Sequence, residues 1–210
     1  MIRVAVVAGG QFDSLPAPVD LYVGVDAGCL RLLENDLPLD MAVGDFDSVS
    51  PADLSRIEER AELVIKAPAE KDDTDLELAL KEIFKRHQTA QVQIYAAFGG
   101  RMDHVMTNLF LAAEPNLAPF MEHIELVDQQ NVIRFRPAGQ HRISPIAGMT
   151  YISFMPSDGS RLTIKYAKYP LDDENYFYKK CYASNEFIGR DMDISLDTGY
   201  VVLIYSKDKD

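Results

Sequence analysis

Four clusters of polar residues carry the side chains that could do chemistry, and each follows a short apolar run. Asp26-Ala27-Gly28 follows Leu21–Val25, and Gly44-Asp45-Phe46-Asp47-Ser48 follows Met41–Val43. Lys71-Asp72-Asp73-Thr74-Asp75 opens a helical stretch beyond Leu63–Ile65, and Gly99-Gly100-Arg101-Met102-Asp103-His104 follows Val92–Phe98. Asp45 and Asp47 lie two apart, so on extended backbone their carboxylates point the same way. Two carboxylates aimed at one spot repel unless a cation lies between them, and Mg²⁺ suits such a pair. A solvated turn with a capping Asp is the simpler alternative. Helix capping and the helix dipole account for Asp72 and Asp73. They do not account for Lys71, a cation at the positive end of a helix, which suits a docked anion. Gly99-Gly100-Arg101 offers backbone N–H groups and a guanidinium fork to a phosphate. An N-cap explains Asp103 equally well, and a first-turn position explains His104.

The elements that must position these clusters are read from hydrophobic patterning. Ile2–Ala8, Leu21–Val25, Met41–Val43, Leu63–Ile65 and Val92–Phe98 are continuous apolar runs, as strands buried on both faces should be. Helical stretches separate them: one around Leu30, Leu32 and Leu33, one opened by Ser50-Pro51, one from Asp73 to Arg86, and one from Asp103 to Ala113. In the third, Leu76, Ala79, Leu80, Ile83 and Phe84 recur at helical spacing. Strands alternating with helices predict a mostly parallel sheet flanked by helices, with ligands outside the carboxyl ends of its strands. After about residue 120 the pattern changes. Ile124–Val127, Val132–Phe135, Thr150–Met155, Arg161–Tyr166 and Tyr200–Tyr205 are strand-like, with turns at Asp128–Asn131 and at Asp158-Gly159. The chain is thus expected to be α/β over residues 1–123 and an all-β, sandwich-like domain over 124–210.

Composition excludes several functions. Lys and Arg number 21 against 33 Asp and Glu, a net charge of −12 in 210 residues. That balance argues against nucleic acid and against an anionic membrane surface as partners. The longest uncharged run, Ile143 to Ser157, is short and interrupted by prolines and a glycine, so no membrane span is expected. Cys29 and Cys181 are the two cysteines, with no CxxC pair, which disfavours zinc and predicts a reduced, cytoplasmic protein. There is no GxxxxGK[ST] and no GxGxxG after the first strand, so a P-loop or dinucleotide fold is disfavoured. Acids that could hold a metal, with Lys71 and Arg101 for phosphate, suit phosphoryl transfer.

Taken in order, VDAG at Val25–Gly28, GDFDS at Gly44–Ser48, KDDTDLELAL at Lys71–Leu80, GGRMDHVMTN at Gly99–Asn108 and SNEFIG at Ser184–Gly189 resemble thiamine pyrophosphokinases, in their short bacterial form. The resemblance implies a thiamine diphosphokinase, which moves a pyrophosphoryl group from ATP to thiamine with Mg²⁺ and releases AMP. It implies an ATP-binding α/β domain, a thiamine-binding β-sandwich, and a homodimer with the vitamin at the interface. By the same resemblance Asp45, Asp47 and Asp75 hold the metal. Asp26, Lys71, Asp72, Thr74, Arg101, Asp103, His104 and Asn108 line the nucleotide and the transferred phosphates. Ser184 and Asn185 meet the thiamine. Asp72, Asp103 and Arg101 are the expected catalytic groups, with the proton acceptor open between the two acids. The family often has two glycines after the first acid where this chain has Ala27 and Gly28. The chain also lacks Trp, on which some members stack the vitamin; Phe187 or Tyr182 is the expected substitute, and core packing explains both as readily. A pyrophosphokinase for another alcohol, such as a hydroxymethyl pterin, and a non-catalytic thiamine or nucleotide sensor are the rival readings.

Overall fold

The computed structural model describes every residue except Leu15, Ala69, Glu70, Lys71, Asp158 and Asp210. The chain separates into two compact units, Met1–Gln129 and Gln130–Asp210.

The first unit is a parallel sheet with helical crossovers. Its strands are β1 (Arg3–Val7), β2 (Leu21–Val25), β3 (Met41–Gly44), β4 (Leu63–Lys66), β5 (Gln91–Tyr95) and β6 (Ile124–Val127). Their spatial order is β6-β5-β1-β2-β3-β4, every neighbour parallel. Helices α1 (Gly28–Glu34), α2 (Pro51–Arg60), α3 (Asp75–Arg86) and α4 (Met102–Phe110) lie in the connections, followed by the short 3₁₀ segments Leu111–Ala113 and Ala118–His123. The chain steps from β1 through β4 in one direction and then returns to the other side of β1 with β5. That reversal opens a crevice at the carboxyl ends of β1 and its neighbours. Val4 to Val7 are completely buried, as expected for a central strand covered on both faces.

Local chemistry explains the boundaries. Ser50 caps α2, accepting from the Asp53 N–H at 3.2 Å, with Pro51 at the first helical position. Thr74 caps α3 in a reciprocal box: its Oγ1 accepts from Glu77 N–H, and its own N–H donates to Glu77 Oε2. The apolar stripe of α3 is the one expected, with Leu76, Ala79, Leu80, Ile83 and Phe84 buried. β5 ends at Tyr95, short of the expected Phe98, because Ala96 takes a left-handed φ of 54°.

The second unit is an antiparallel β region. Its strands are β7 (Asn131–Ile143), β8 (Tyr151–Pro156), β9 (Leu162–Lys165), β10 (Tyr182–Asn185) and β11 (Met192–Ser206). The long β11 pairs with β7 along most of its length. Its Val201–Ser206 half also pairs with β8, and its Asp193–Leu196 half with β9. The register shifts between Leu196 and Tyr200, where Gly199 is left-handed. β10 pairs with β8. Phe135, Ile152, Phe154, Val201, Leu203 and Tyr205 form the buried centre. The expected boundary at residue 124 assigns Ile124–Val127 to this all-β part; in the structure the strand runs parallel to β5.

Candidate functional site

A cleft of about 720 Å³ opens at the crevice of the first unit. The loop after β1 forms one wall (Gly9, Gly10, Gln11), and the turn after β2 another (Asp26, Ala27). Thr74 and Asp75 at the start of α3 and the Gly99–Arg101 loop with His104 and Asn108 close it.

Three acids converge here. Asp26, Asp45 and Asp75 each present a carboxylate oxygen within 4.8 Å of the others, and each is half-buried. The strand ends and the cap of α3 bring them together. Asp26 sits in a left-handed conformation (φ 47°) directly after β2. Its carboxylate occupies space that a side chain at position 44 would need: a Cβ on Gly44 would lie 1.9 Å from Asp26 Oδ1. The same Oδ1 accepts from the Phe46 N–H at 3.4 Å. The capping box fixes Thr74, which makes Asp75 the first residue of α3. Like charges this close repel, and a cation between them relieves that repulsion. An all-oxygen donor set of carboxylates suits a hard divalent ion such as Mg²⁺.

Asp47 stands apart from this group. It is exposed, and its N–H donates to Asp45 Oδ1 at 3.1 Å. The alternation expected for Asp45 and Asp47 requires extended backbone, and Phe46 interrupts it with a φ of 58° while its ring is buried. Asp26, expected only near the nucleotide, takes the third place in the cluster.

The remaining residues divide. Asn108 donates from Nδ2 to the Ala97 carbonyl at 2.7 Å and so ties α4 to the segment that follows β5. Gly99 and Gly100 are consecutive left-handed residues (φ 89° and 74°), a conformation that side chains disfavour. Arg101 and Asp103 form a two-pronged ion pair on the exposed first turn of α4. That bond holds the Asp103 carboxyl below the usual carboxylate range and raises the Arg101 guanidinium further. Asp72 is exposed and does not line the cleft, and Lys71 lies outside the described residues. Arg31, Gln11 and Ser48 line the cleft although the sequence reading did not single them out as site residues. The Gly9–Gln11 turn is stitched to the β5 end: Gly10 N–H donates to Ala96 O and Gln11 N–H to Phe98 O, both at 2.8 Å. A Cβ on Gly10 would lie 2.3 Å from Phe98 O, so this turn needs its glycine. Beneath the cleft the Cys29 thiol is pushed up to about 12, first by burial and then by the Asp26 charge.

Ser184 and Asn185 lie in the second unit and line a separate cavity of about 650 Å³ with Tyr169, Phe177 and Tyr182. Ser184 is exposed and left-handed (φ 59°). Asn185 is buried, and its amide is engaged with backbone: Oδ1 accepts from Tyr169 and Glu186 N–H, and Nδ2 donates to Tyr169 O. Tyr182 is buried too, donating its hydroxyl to Phe177 O at 2.7 Å. Phe187 stacks on Tyr205 with ring centres 6.3 Å apart. The aromatic side chains that line this cavity and remain exposed are Tyr169 and Phe177.

Convergent carboxylates beside guanidinium groups and paired glycines, at the switch point of a parallel sheet, are the equipment of a phosphoryl-transfer enzyme. Comparison with known proteins narrows that class. Residues 10–123 match the family description "Thiamin pyrophosphokinase, catalytic domain", and residues 140–201 match "Thiamin pyrophosphokinase, vitamin B1 binding domain". The chain is 34% identical to the thiamine pyrophosphokinase of Bacillus subtilis (strain 168), over 99% of this chain and all of that one. A crystal structure of a thiamin pyrophosphokinase family protein from Enterococcus faecalis superposes with a TM-score of 0.90 at 42% identity, covering 99% of this chain and 100% of that one. The crystal structure of the Bacillus subtilis enzyme gives 0.80 at 32%, with 99% and 100% covered. The chain belongs to the thiamin pyrophosphokinase family.

Proposed function

We infer that the chain transfers the pyrophosphoryl group of ATP to the hydroxyethyl oxygen of thiamine, giving thiamine diphosphate and AMP. The observation that carries this reading is the convergence of Asp26, Asp45 and Asp75 at the strand-end cleft of a chain whose two parts match a catalytic and a vitamin-binding family description. These carboxylates fit Mg²⁺, which when bound supplies charge neutralisation for the ATP phosphates. Asp47 belongs to the proposal as an outlying acid on the same loop. Thr74, His104 and Asn108 shape the nucleotide site, and Arg101, with Lys71 by family resemblance, offsets negative charge on the phosphates.

In the reaction the thiamine hydroxyl oxygen forms a bond to the β-phosphorus. The bond from that phosphorus to the oxygen bridging to the α-phosphorus breaks, and its electron pair leaves with AMP. The hydroxyl proton passes to a carboxylate. Of the two expected acceptors, Asp103 is bound by Arg101 and holds a proton less readily than an ordinary carboxylate. Asp72 is exposed and outside the cleft lining, so the acceptor stays open between the two. Ser184, exposed on the wall of the second unit's cavity, is proposed to meet the vitamin, and Asn185 to hold the loop beside it.

A homodimer is part of this reading. Met102, Met106 and Phe110 recur at i, i+4 and i+8 on α4 and are 67%, 43% and 40% exposed, and no residue of α4 is buried. A second copy of the chain is the proposed cover for that stripe, testable by sedimentation of wild type and Met106→Glu. Free Cys29 and Cys181 suit the reducing cytoplasm. No helix among the described residues is long and apolar enough to cross a membrane.

The decisive experiment measures AMP release from ATP and Mg²⁺ with and without thiamine, with mass detection of the product. Thiamine-dependent AMP with thiamine diphosphate is the expected result. AMP released only with a pterin alcohol would overturn the substrate, and thiamine binding without turnover would overturn the enzyme reading.

A further inference from the structure

Two guanidinium groups line the cleft of the first unit, and their surroundings differ. Arg101 is exposed and ion-paired with Asp103. Arg31, on α1, is partly buried and donates from Nη2 to the Gly9 carbonyl at 3.1 Å. Among the described residues no carboxylate forms an ion pair with Arg31. A guanidinium carries five N–H donors and keeps its charge at any working pH. The bond to Gly9 uses one of them on a neutral acceptor. The acceptor is itself fixed, because the turn it belongs to is bonded to the β5 end through Gly10 and Gln11. Arg31 is therefore a permanent cation with no carboxylate partner among the described residues, held in place on the wall of a cleft that the acids otherwise dominate. A planar fork in that position matches phosphate oxygens.

We propose that Arg31 is a binding residue for the polyphosphate chain of the nucleotide, supplying positive charge in addition to that of Arg101, which is shared with Asp103. The proposal rests on reading the cleft as the ATP site. The alternative role is purely structural: Arg31 latches the Gly9 turn and touches no ligand.

The two roles separate when ligands with and without phosphate are compared. Dissociation constants for ATP, inorganic triphosphate and adenosine are measured by calorimetry on wild type, Arg31→Gln and Arg31→Lys, with circular dichroism verifying the fold. Arg31→Gln is expected to weaken ATP and triphosphate by about 10- to 100-fold and to leave adenosine within about twofold. Arg31→Lys, which keeps the charge and loses the fork, should recover part of the loss, and it serves as the reporter if the Gln variant does not fold. Equal weakening of ATP and adenosine would assign Arg31 to the turn and overturn the proposal, as would unchanged affinity for all three ligands. Wild-type protein that binds neither ATP nor adenosine would overturn the nucleotide reading itself, a result distinct from a variant that matches wild type.

Discussion

The cleft of the first unit and the cavity of the second are close in volume, about 720 and 650 Å³, but their polar side chains are used in opposite ways. In the cleft, carboxylates from three separate segments converge on one point, an arrangement that suits a cation. In the cavity, the most buried polar side chain is engaged with its own backbone: the Asn185 amide holds Tyr169 and Glu186. The same holds for the Tyr182 hydroxyl. A residue type at a family position therefore does not fix its role. In the first unit Asp45 and Asp75, joined by Asp26, converge, while Asp47 and Asp72 lie outside that group. In the second, one of the two, Ser184, is exposed on the cavity wall and the other is part of the frame.

The largest effect should come from breaking the convergence. Asp75→Asn, or Asp45→Asn, should lower kcat for thiamine diphosphate formation by about 10²-fold or more, with the circular dichroism spectrum unchanged. Asp47→Asn should cost less than about tenfold, because that carboxylate lies outside the group. Equal losses at positions 47 and 75 would return Asp47 to the metal site and leave the geometry around Phe46 without functional meaning.

Asn185→Ala and Ser184→Ala sharpen the contrast within the second unit. Removing the Asn185 amide leaves backbone groups of Tyr169 and Glu186 without partners, so urea unfolding should show a loss of about 1–3 kcal/mol. Ser184→Ala should leave stability within about 0.5 kcal/mol and raise KM for thiamine more than KM for ATP. If Ser184→Ala instead destabilises and Asn185→Ala changes only KM, the two roles are reversed.

These differences also mark how far the sequence could be read. The α/β part was legible because its strands are continuous apolar runs and α2 opens with an explicit cap, Ser50; α3, expected from Asp73, starts at Asp75, with Thr74 as its cap. The acids were legible by type, but which of them converge was not. Alternation assigns Asp47 beside Asp45 only on extended backbone, and a buried Phe46 with positive φ turns the chain between them. Arg31 passed unnoticed because a basic residue in the last turn of a helix is ordinary dipole complementation. In the second unit, β10 has no alternation to detect: its burial runs buried, exposed, exposed, buried, with Ser184 left-handed in its middle. The first half of β11 does alternate, at Met192, Ile194 and Leu196, but the left-handed Gly199 separates it from the apolar run that was recognised.

A smaller effect tests how Asp75 is positioned. Thr74→Ala removes the acceptor for Glu77 N–H and should cost about 1 kcal/mol in urea unfolding. Because Asp75 is the next residue, the variant should also raise the Mg²⁺ concentration needed for half-maximal activity. A stability loss with unchanged Mg²⁺ dependence would mean that the box fixes the helix without aiming the acid.

The smallest effect separates the two units by their thiols. Cys29, buried beside Asp26, has its thiol pushed from 9.0 up to about 12. Cys181 in the second unit is raised by partial burial, against an opposing pull from Lys179. A group whose folded pKa lies above its unfolded value contributes fully below the unfolded pKa. Its contribution is then lost as pH rises toward the folded one. For Cys29 that window runs from about pH 9 to about 12. The difference in unfolding free energy between wild type and Cys29→Ala should therefore be flat from pH 7 to 8.5 and shrink by about 0.8 kcal/mol at pH 9.5. Taking the difference cancels the lysines and tyrosines that titrate in the same range. The matching curve for Cys181→Ala should bend less. A Cys29 difference that stays flat to pH 10 would show that the thiol ionises as readily folded as unfolded, and that the floor beneath Asp26 is open to water.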